Sequence, residues 1–219
     1  LHGQTASLGA QDLNDLIAYL QQIDSNEPSA GEIRVPASDR STLVVDAHSL
    51  AKEILEAVET KTPLAPLSLK LAAETNLAYG YQIQAAFDHY MSKRFGQVSG
   101  YKMAYASKAS QEKWGISEPV SGTFFAKQSV PSGGAVPLDS FMGFHIETEI
   151  AFTLKKGINQ QIQTVEQLMP YLKSVHVGLD VPDLRYDTSK GKLTAIDVVA
   201  MSCGTHTYVL GEGVSPEGL

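Results

Sequence analysis

Gly143-Phe-His-Ile-Glu-Thr-Glu-Ile-Ala-Phe152 sets two acidic residues, Glu147 and Glu149, two positions apart in an apolar run. Side chains of a strand alternate between faces, so both glutamates share one side with His145 while Ile146, Thr148 and Ile150 take the other. Neighbouring carboxylates repel, and each loses hydration against a like charge. The pair is tolerable where something positive, most simply a divalent cation, lies between them. The alternative is an edge strand with an ordinary solvated face. Both readings stand on this stretch alone.

Working outward, 219 residues with 43% apolar and 19% charged side chains suffice for a sizeable core and read as one soluble domain with an attached segment. The formal net charge of −7 and the scattered 17 Lys and Arg give no basic field, so no nucleic acid is expected as a partner. No run approaches the roughly 20 apolar residues of a membrane helix, so no membrane partner is expected either. The single cysteine, Cys203, excludes an intrachain disulfide and a Cys-rich zinc site, and reads as a small buried apolar residue.

Leu13, Leu16, Ile17, Leu20 and Ile23 recur at helical spacing, and the Ser-, Pro- and Asp-rich stretch 24–41 reads as a linker. The spacing predicts helices over 47–60 and 68–95, the first stopped by Thr62-Pro-Leu-Ala-Pro66 and the second by Gly96. Beyond Gly96 short runs alternate with Gly and Pro. Strands are expected over 98–103, 122–125, 145–154, 174–181, 195–200 and 207–210, and Thr164-Val-Glu-Gln167 predicts a capping box opening a short helix that Pro170 limits. The fold class is therefore α+β, helices first and sheet after.

Three places put polar groups where a core would not want them. Lys102 interrupts an apolar strand, and a buried ammonium needs an acidic partner or a lowered pKa. The second place is the Glu147 and Glu149 pair. The third is Val177-Gly-Leu-Asp-Val-Pro-Asp-Leu-Arg185, where Asp180 ends a strand and Asp183 and Arg185 follow. Carboxylates from two strands suit Mg²⁺ or Mn²⁺ rather than zinc, because hard cations prefer oxygen.

Ser99-Gly-Tyr-Lys102, the run on to Trp114-Gly-Ile-Ser-Glu-Pro119, Glu147-Thr-Glu-Ile-Ala-Phe152, Gly178-Leu-Asp-Val-Pro-Asp-Leu-Arg185 and Lys61-Thr-Pro-Leu-Ala-Pro-Leu67 together resemble the fumarylacetoacetate hydrolase superfamily. Within it they are most similar to the 2-keto-4-pentenoate hydratase and 4-oxalocrotonate decarboxylase branch. The resemblance implies a mixed β-roll over 42–219 and a lyase of aromatic catabolism acting on a small 2-oxo or 2-hydroxydienoic acid. It also implies a divalent metal held at Glu147, Glu149 and Asp180, with Lys102 as the matching lysine; His145, by its strand parity with the two glutamates, is the candidate substitute for a missing proton carrier. Such an ion would act as a Lewis acid toward the substrate.

Several positions depart from that pattern. Val120 stands where hydratase-like members often carry Asp, Met201-Ser202 where an Asp-Asn pair is common, and Asp180 where Glu is usual. These departures motivate an alternative, a degenerate member serving as a metal- or ligand-binding accessory domain. The family also continues beyond the position of Leu219, so an open sheet edge would call for a partner chain, and a homo-oligomer is expected. Leu8 to Leu20 resembles the last helix of a c-type cytochrome domain without a haem-attachment motif, which would make 1–41 the remnant of such a module. The family implies a cytoplasmic location; a true cytochrome fusion would imply the periplasm.

Overall fold

The computed structural model describes residues 46–72 and 75–217. The expected helix over 8–23, its cytochrome-like reading and the boundary at residue 41 lie outside the described residues.

Helix α1, Ala47–Thr60, starts where Asp46 accepts a hydrogen bond from the Ser49 amide at 3.1 Å, and buries Leu50, Ala51, Ile54 and Ala57. Lys61 ends it in the left-handed conformation (φ 54°), and Pro63 prevents its continuation. The second helix is shorter than the spacing predicts. Pro66 is followed by a single 3₁₀ turn, Leu67–Lys70, and α2 proper is Leu77–Phe95, capped by the side chain of Asn76 and stopped at Gly96 with φ 86°. Asparagine competes well as a cap, so the helix opens at Asn76 rather than at Ser68.

Next come β1 (Val98–Ala104), α3 (Lys108–Trp114), β2 (Val120–Phe125) and β3 (Ser129–Pro131). Further on lie β4 (Glu147–Leu154), α4 (Val165–Leu168), β5 (Leu172–Val181), α5 (Ala195–Ala200) and β6 (Thr207–Leu210). Strands β1 and β2 form an antiparallel hairpin that sets Lys102 opposite Gly122. A four-stranded sheet has the order β3-β6-β5-β4. The two long helices come first as expected, but α3, α4 and α5 lie between later strands, so helices and strands are mixed after Gly96. Thr164 caps α4, its hydroxyl accepting from the Gln167 amide at 3.3 Å.

One element is corrected. Residues 195–200 form a helix rather than a strand. Their Ile and Val content favours a strand, but Asp197 reaches back to the Thr194 amide (2.8 Å) and hydroxyl (2.9 Å), which closes a capping box. The same carboxylate accepts from the Ser68 amide (2.9 Å) and hydroxyl (2.7 Å), and is fully buried. A strand would leave these donors without their acceptor.

The chain divides into two compact units, with boundaries at Thr148/Glu149, Gly178/Leu179 and Val209/Leu210. The larger unit holds α1, α2, α5 and the hairpin around Leu50, Ile54, Leu67, Ile83, Phe87, Val120, Phe125 and Val199. The smaller has its own core of Ile162, Leu168, Tyr171 and Leu172. No described helix is long and apolar enough to cross a membrane.

Replacing Asp197 with Ala leaves four donors without an acceptor. The chain is expected to lose about 1–3 kcal/mol of stability, measured by urea unfolding, because the helix cap is lost and the part-buried Ser68 and Thr194 donors are only partly re-satisfied by water.

Candidate functional site

Strand β1 carries Lys102 inward with only 9% of its side chain exposed. Its ammonium donates to Glu147 Oε2 at 3.0 Å and to Asp180 Oδ2. Glu147 opens β4 with its side chain half-exposed, whereas Asp180, one residue from the end of β5, keeps 4% exposure. Burial works against the charged lysine, but the Asp180 and Glu147 carboxylates outweigh it and hold its pKa above the ordinary value. Burial raises Asp180, with Glu147 adding to the rise and Lys102 opposing it. Both shifts are upward, which favours the charged form of Lys102 and the neutral form of Asp180. Direct contact with an ammonium on one face favours the ionised pair.

The structure thus brings together three of the five residues that the sequence singles out. Glu149 is exposed and belongs to the smaller unit. His145 is also exposed and precedes the strand, since β4 begins only at Glu147; its amide bonds the Pro182 carbonyl at 3.3 Å. Strand parity therefore does not govern His145. Asp183 serves the backbone instead of the site: its Oδ1 accepts from the Met142 (2.7 Å) and Gly143 (2.8 Å) amides.

Among the described residues no three His, Cys, Asp or Glu side chains form a ready metal-binding group. Two observations still suit a hard cation. Glu147 and Asp180 present oxygen donors to one point that already holds a positive charge, and Asp180 Oδ1 is buried without a hydrogen-bond partner.

Further groups act electrostatically on this triad or are acted on by it. Tyr105, at φ 59° and stacked on Trp114 with centroids 4.8 Å apart, is pushed to a higher pKa by burial first and then by Cys203 and Glu147. Cys203 is pushed up to about 12 by burial, with Lys102 opposing and Asp88, Asp180 and Glu147 reinforcing, so its thiol is neutral. Ser202, Cys203 and Gly204 are three consecutive left-handed residues (φ 56°, 50° and 72°). Gly122 permits this turn, because a Cβ there would overlap the Ser202 carbonyl. The turn is fastened by Ser202 Oγ, which accepts from Gln84 Nε2 (3.1 Å) and the Thr123 amide (2.8 Å), and by the Arg185 guanidinium on the Met201 (2.9 Å) and Thr205 (2.6 Å) carbonyls. Its one sequence-level sign is Gly122 set opposite Lys102, which requires the strand pairing to be seen.

No family model matches the chain. In sequence it is similar to 2-keto-4-pentenoate hydratase of Paraburkholderia xenovorans (strain LB400), 25% identical over 170 residues that cover 77% of this chain and 62% of the relative. It is 26% identical over 136 residues to a 4-oxalocrotonate decarboxylase of a Pseudomonas species, covering 62% of this chain and 52% of that one. Among solved structures, 4-oxalocrotonate decarboxylase from Pseudomonas putida G7, complexed with magnesium and adipate, superposes with a TM-score of 0.72 at 24% identity, over 79% of this chain and 65% of that chain. The chain shares the decarboxylase's fold. It spans about 62% of the length of the first hydratase it matches.

Asp88 on α2 adds a testable electrostatic feature. Its Oδ1 is buried without a hydrogen-bond partner, and burial lifts the carboxyl from 3.8 to about 6 against the opposing pull of Thr123, Ser202 and Arg185. An acid with a raised folded pKa binds more protons folded than unfolded, so its contribution to stability falls as pH rises from about 4 to about 6. Asp88→Asn removes that component. The stability of the variant relative to the parent should therefore climb across this interval in urea titrations at a series of pH values, and a flat difference would refute the assignment.

Proposed function

We propose that the chain is the core of a lyase acting on a small 2-oxo or 2-hydroxydienoic acid of aromatic catabolism, by hydration or decarboxylation through a dienolate, with Lys102, Glu147 and Asp180 at its centre. The observation that carries this reading is the convergence of those three side chains, in the chain order of the motifs that resemble the hydratase and decarboxylase branch. The names of the sequence relatives point the same way.

Glu147 and Asp180 would hold a Mg²⁺ or Mn²⁺ ion, with Glu149 as the further ligand. When bound, the ion supplies a Lewis acid for the substrate's oxygens. The buried ammonium of Lys102 then meets either the substrate carboxylate or the negative charge that develops as a proton or carbon dioxide leaves. It does so where water screens little, so the interaction strengthens with the developing charge. Tyr105 and the Cys203 thiol keep their protons near neutral pH, and so add no third negative charge near the lysine. His145 is the proposed proton carrier where Val120 cannot serve. Small-molecule binding in a homo-oligomer in the cytoplasm completes this proposal.

A second reading rests on a specific observation. Val120 is fully buried and carries no proton, and Ser202 spends its hydroxyl on Gln84 and Thr123. A degenerate member that binds metal or ligand without turning over fits those residues.

The test follows the ultraviolet absorbance of 2-hydroxypenta-2,4-dienoate with Mg²⁺ present. Lys102→Met and Glu147→Gln are each expected to reduce turnover by about 10²–10³-fold, the range for losing a preorganised electrostatic group. Metal binding without absorbance decay in the parent would select the second reading. Undiminished turnover in metal-stripped Glu147→Gln would sink the first.

A further inference from the structure

A cavity of about 340 Å³ opens in the larger unit on residues that take no part in the Lys102 cluster. Its lining includes Lys61, Arg94, Lys127, Arg185 and His206, with Asp183 the acidic member. The Asp183 carboxylate is already committed to two backbone amides and to Arg185, 3.6 Å from the guanidinium Nε. Among the described residues Lys61, Arg94 and Lys127 enter no ion pair. Three cationic side chains therefore share one opening in a chain whose net charge is −7. Grouping like charges raises the local potential and is unfavourable unless an anion is drawn in.

Three further features belong to the same cavity. Arg185 is 99% buried, and its Nε makes no hydrogen bond. The His206 imidazole is lowered by burial first, then by the charges of Arg185 and Arg94, as a positive surrounding would do. Lys61 holds a left-handed conformation that glycine or asparagine would adopt more easily, and its ammonium bonds the Asp139 carbonyl, in the segment whose Pro137 and Ser140 also line the cavity. The remaining wall is apolar, with Val58, Met91, Phe95 and Val136. A cationic mouth over an apolar wall, with a volume in the range of small-ligand pockets, selects an amphipathic anion rather than a hydrated inorganic one.

We propose that this cavity binds a small organic oxyanion, a carboxylate or phosphate ester on a short apolar body, with Arg94 and Lys127 holding the charged end. The site is separate from the proposed lyase centre and stands whether or not that centre turns over.

Isothermal titration of the full chain with benzoate, phenyl phosphate and inorganic phosphate tests it. At least one of the two aromatic anions should bind, and Arg94→Gln and Lys127→Gln should each weaken it by at least about fivefold, as expected for losing a charge-assisted contact. Both side chains are exposed, so the variants keep the parent's unfolding midpoint. Tighter benzoate identifies a carboxylate site, and tighter phenyl phosphate a phosphate site. Glu147→Gln should bind the probe as the parent does. The proposal is overturned by no heat from either aromatic anion, by affinity unchanged in both cavity variants, by affinity lost in Glu147→Gln, or by inorganic phosphate binding as tightly as phenyl phosphate.

Discussion

The ammonium of Lys102 is the constraint on which the candidate site depends. A lysine with 9% of its side chain exposed loses most of its hydration, and the chain replaces it with two carboxylates from two different strands. Removing one partner of such a buried pair typically costs about 3–5 kcal/mol, far more than an exposed pair is worth. The first residue of β4 and the end of β5 are thereby tied to β1 through a single charge. The arrangement leaves one carboxylate more than the lysine can neutralise, and that surplus gives a divalent cation a reason to enter.

Near Lys102 the backbone is held in a conformation it would not choose. Three successive left-handed residues from Ser202 to Gly204 are compatible with folding only because Gly122, Gln84, Thr123 and Arg185 each fix part of the turn. Two of these supports, Gly122 and Thr123, lie on β2, the strand paired with Lys102. Because Lys102 and Gly122 are directly paired, the strained turn and the buried charge share one face of this strand pair. Ser202, which departs from the usual Asp-Asn pattern, is here the anchor of the turn, so its hydroxyl acts on the backbone rather than on a substrate.

The pairing of Lys102 with acids was legible because buried charge has few explanations. Lys102 in an apolar strand demanded an acid, and the strands carrying Glu147 and Asp180 supplied two. What stayed hidden depended on where strands begin and which elements neighbour one another. His145 shares numerical parity with Glu147, but the strand starts after it, and parity has no meaning outside a strand. Residues 195–200 read as a strand from Ile196, Val198 and Val199, while Thr194 and Asp197 specified a helix start; local capping outweighed β-propensity. The shortening of α2 followed from Asn76, which competes for the cap. The basic cavity was not legible at all, since Lys61, Arg94, Lys127 and Arg185 lie far apart in sequence and scatter evenly there.

The departures at Val120 and Asp180 bear on chemistry in different ways. Asp180 is one methylene shorter than the glutamate that the resembling family usually has, and Lys102 closes the shortfall by contacting it directly. The position therefore keeps its charge and its place near Glu147. Val120 has no such substitute: it is completely buried in the main core, packed among the residues that hold α2 and α5 to the hairpin. A side chain so placed has become structural, and restoring an acid there would bury an unpaired carboxyl in apolar surroundings. The carboxylate at 180 thus keeps its contact with Lys102, whereas Val120 offers no group that could carry a proton. Any turnover by this chain must draw its proton from another group, and the exposed imidazole of His145 lies within the segment that leads into Glu147.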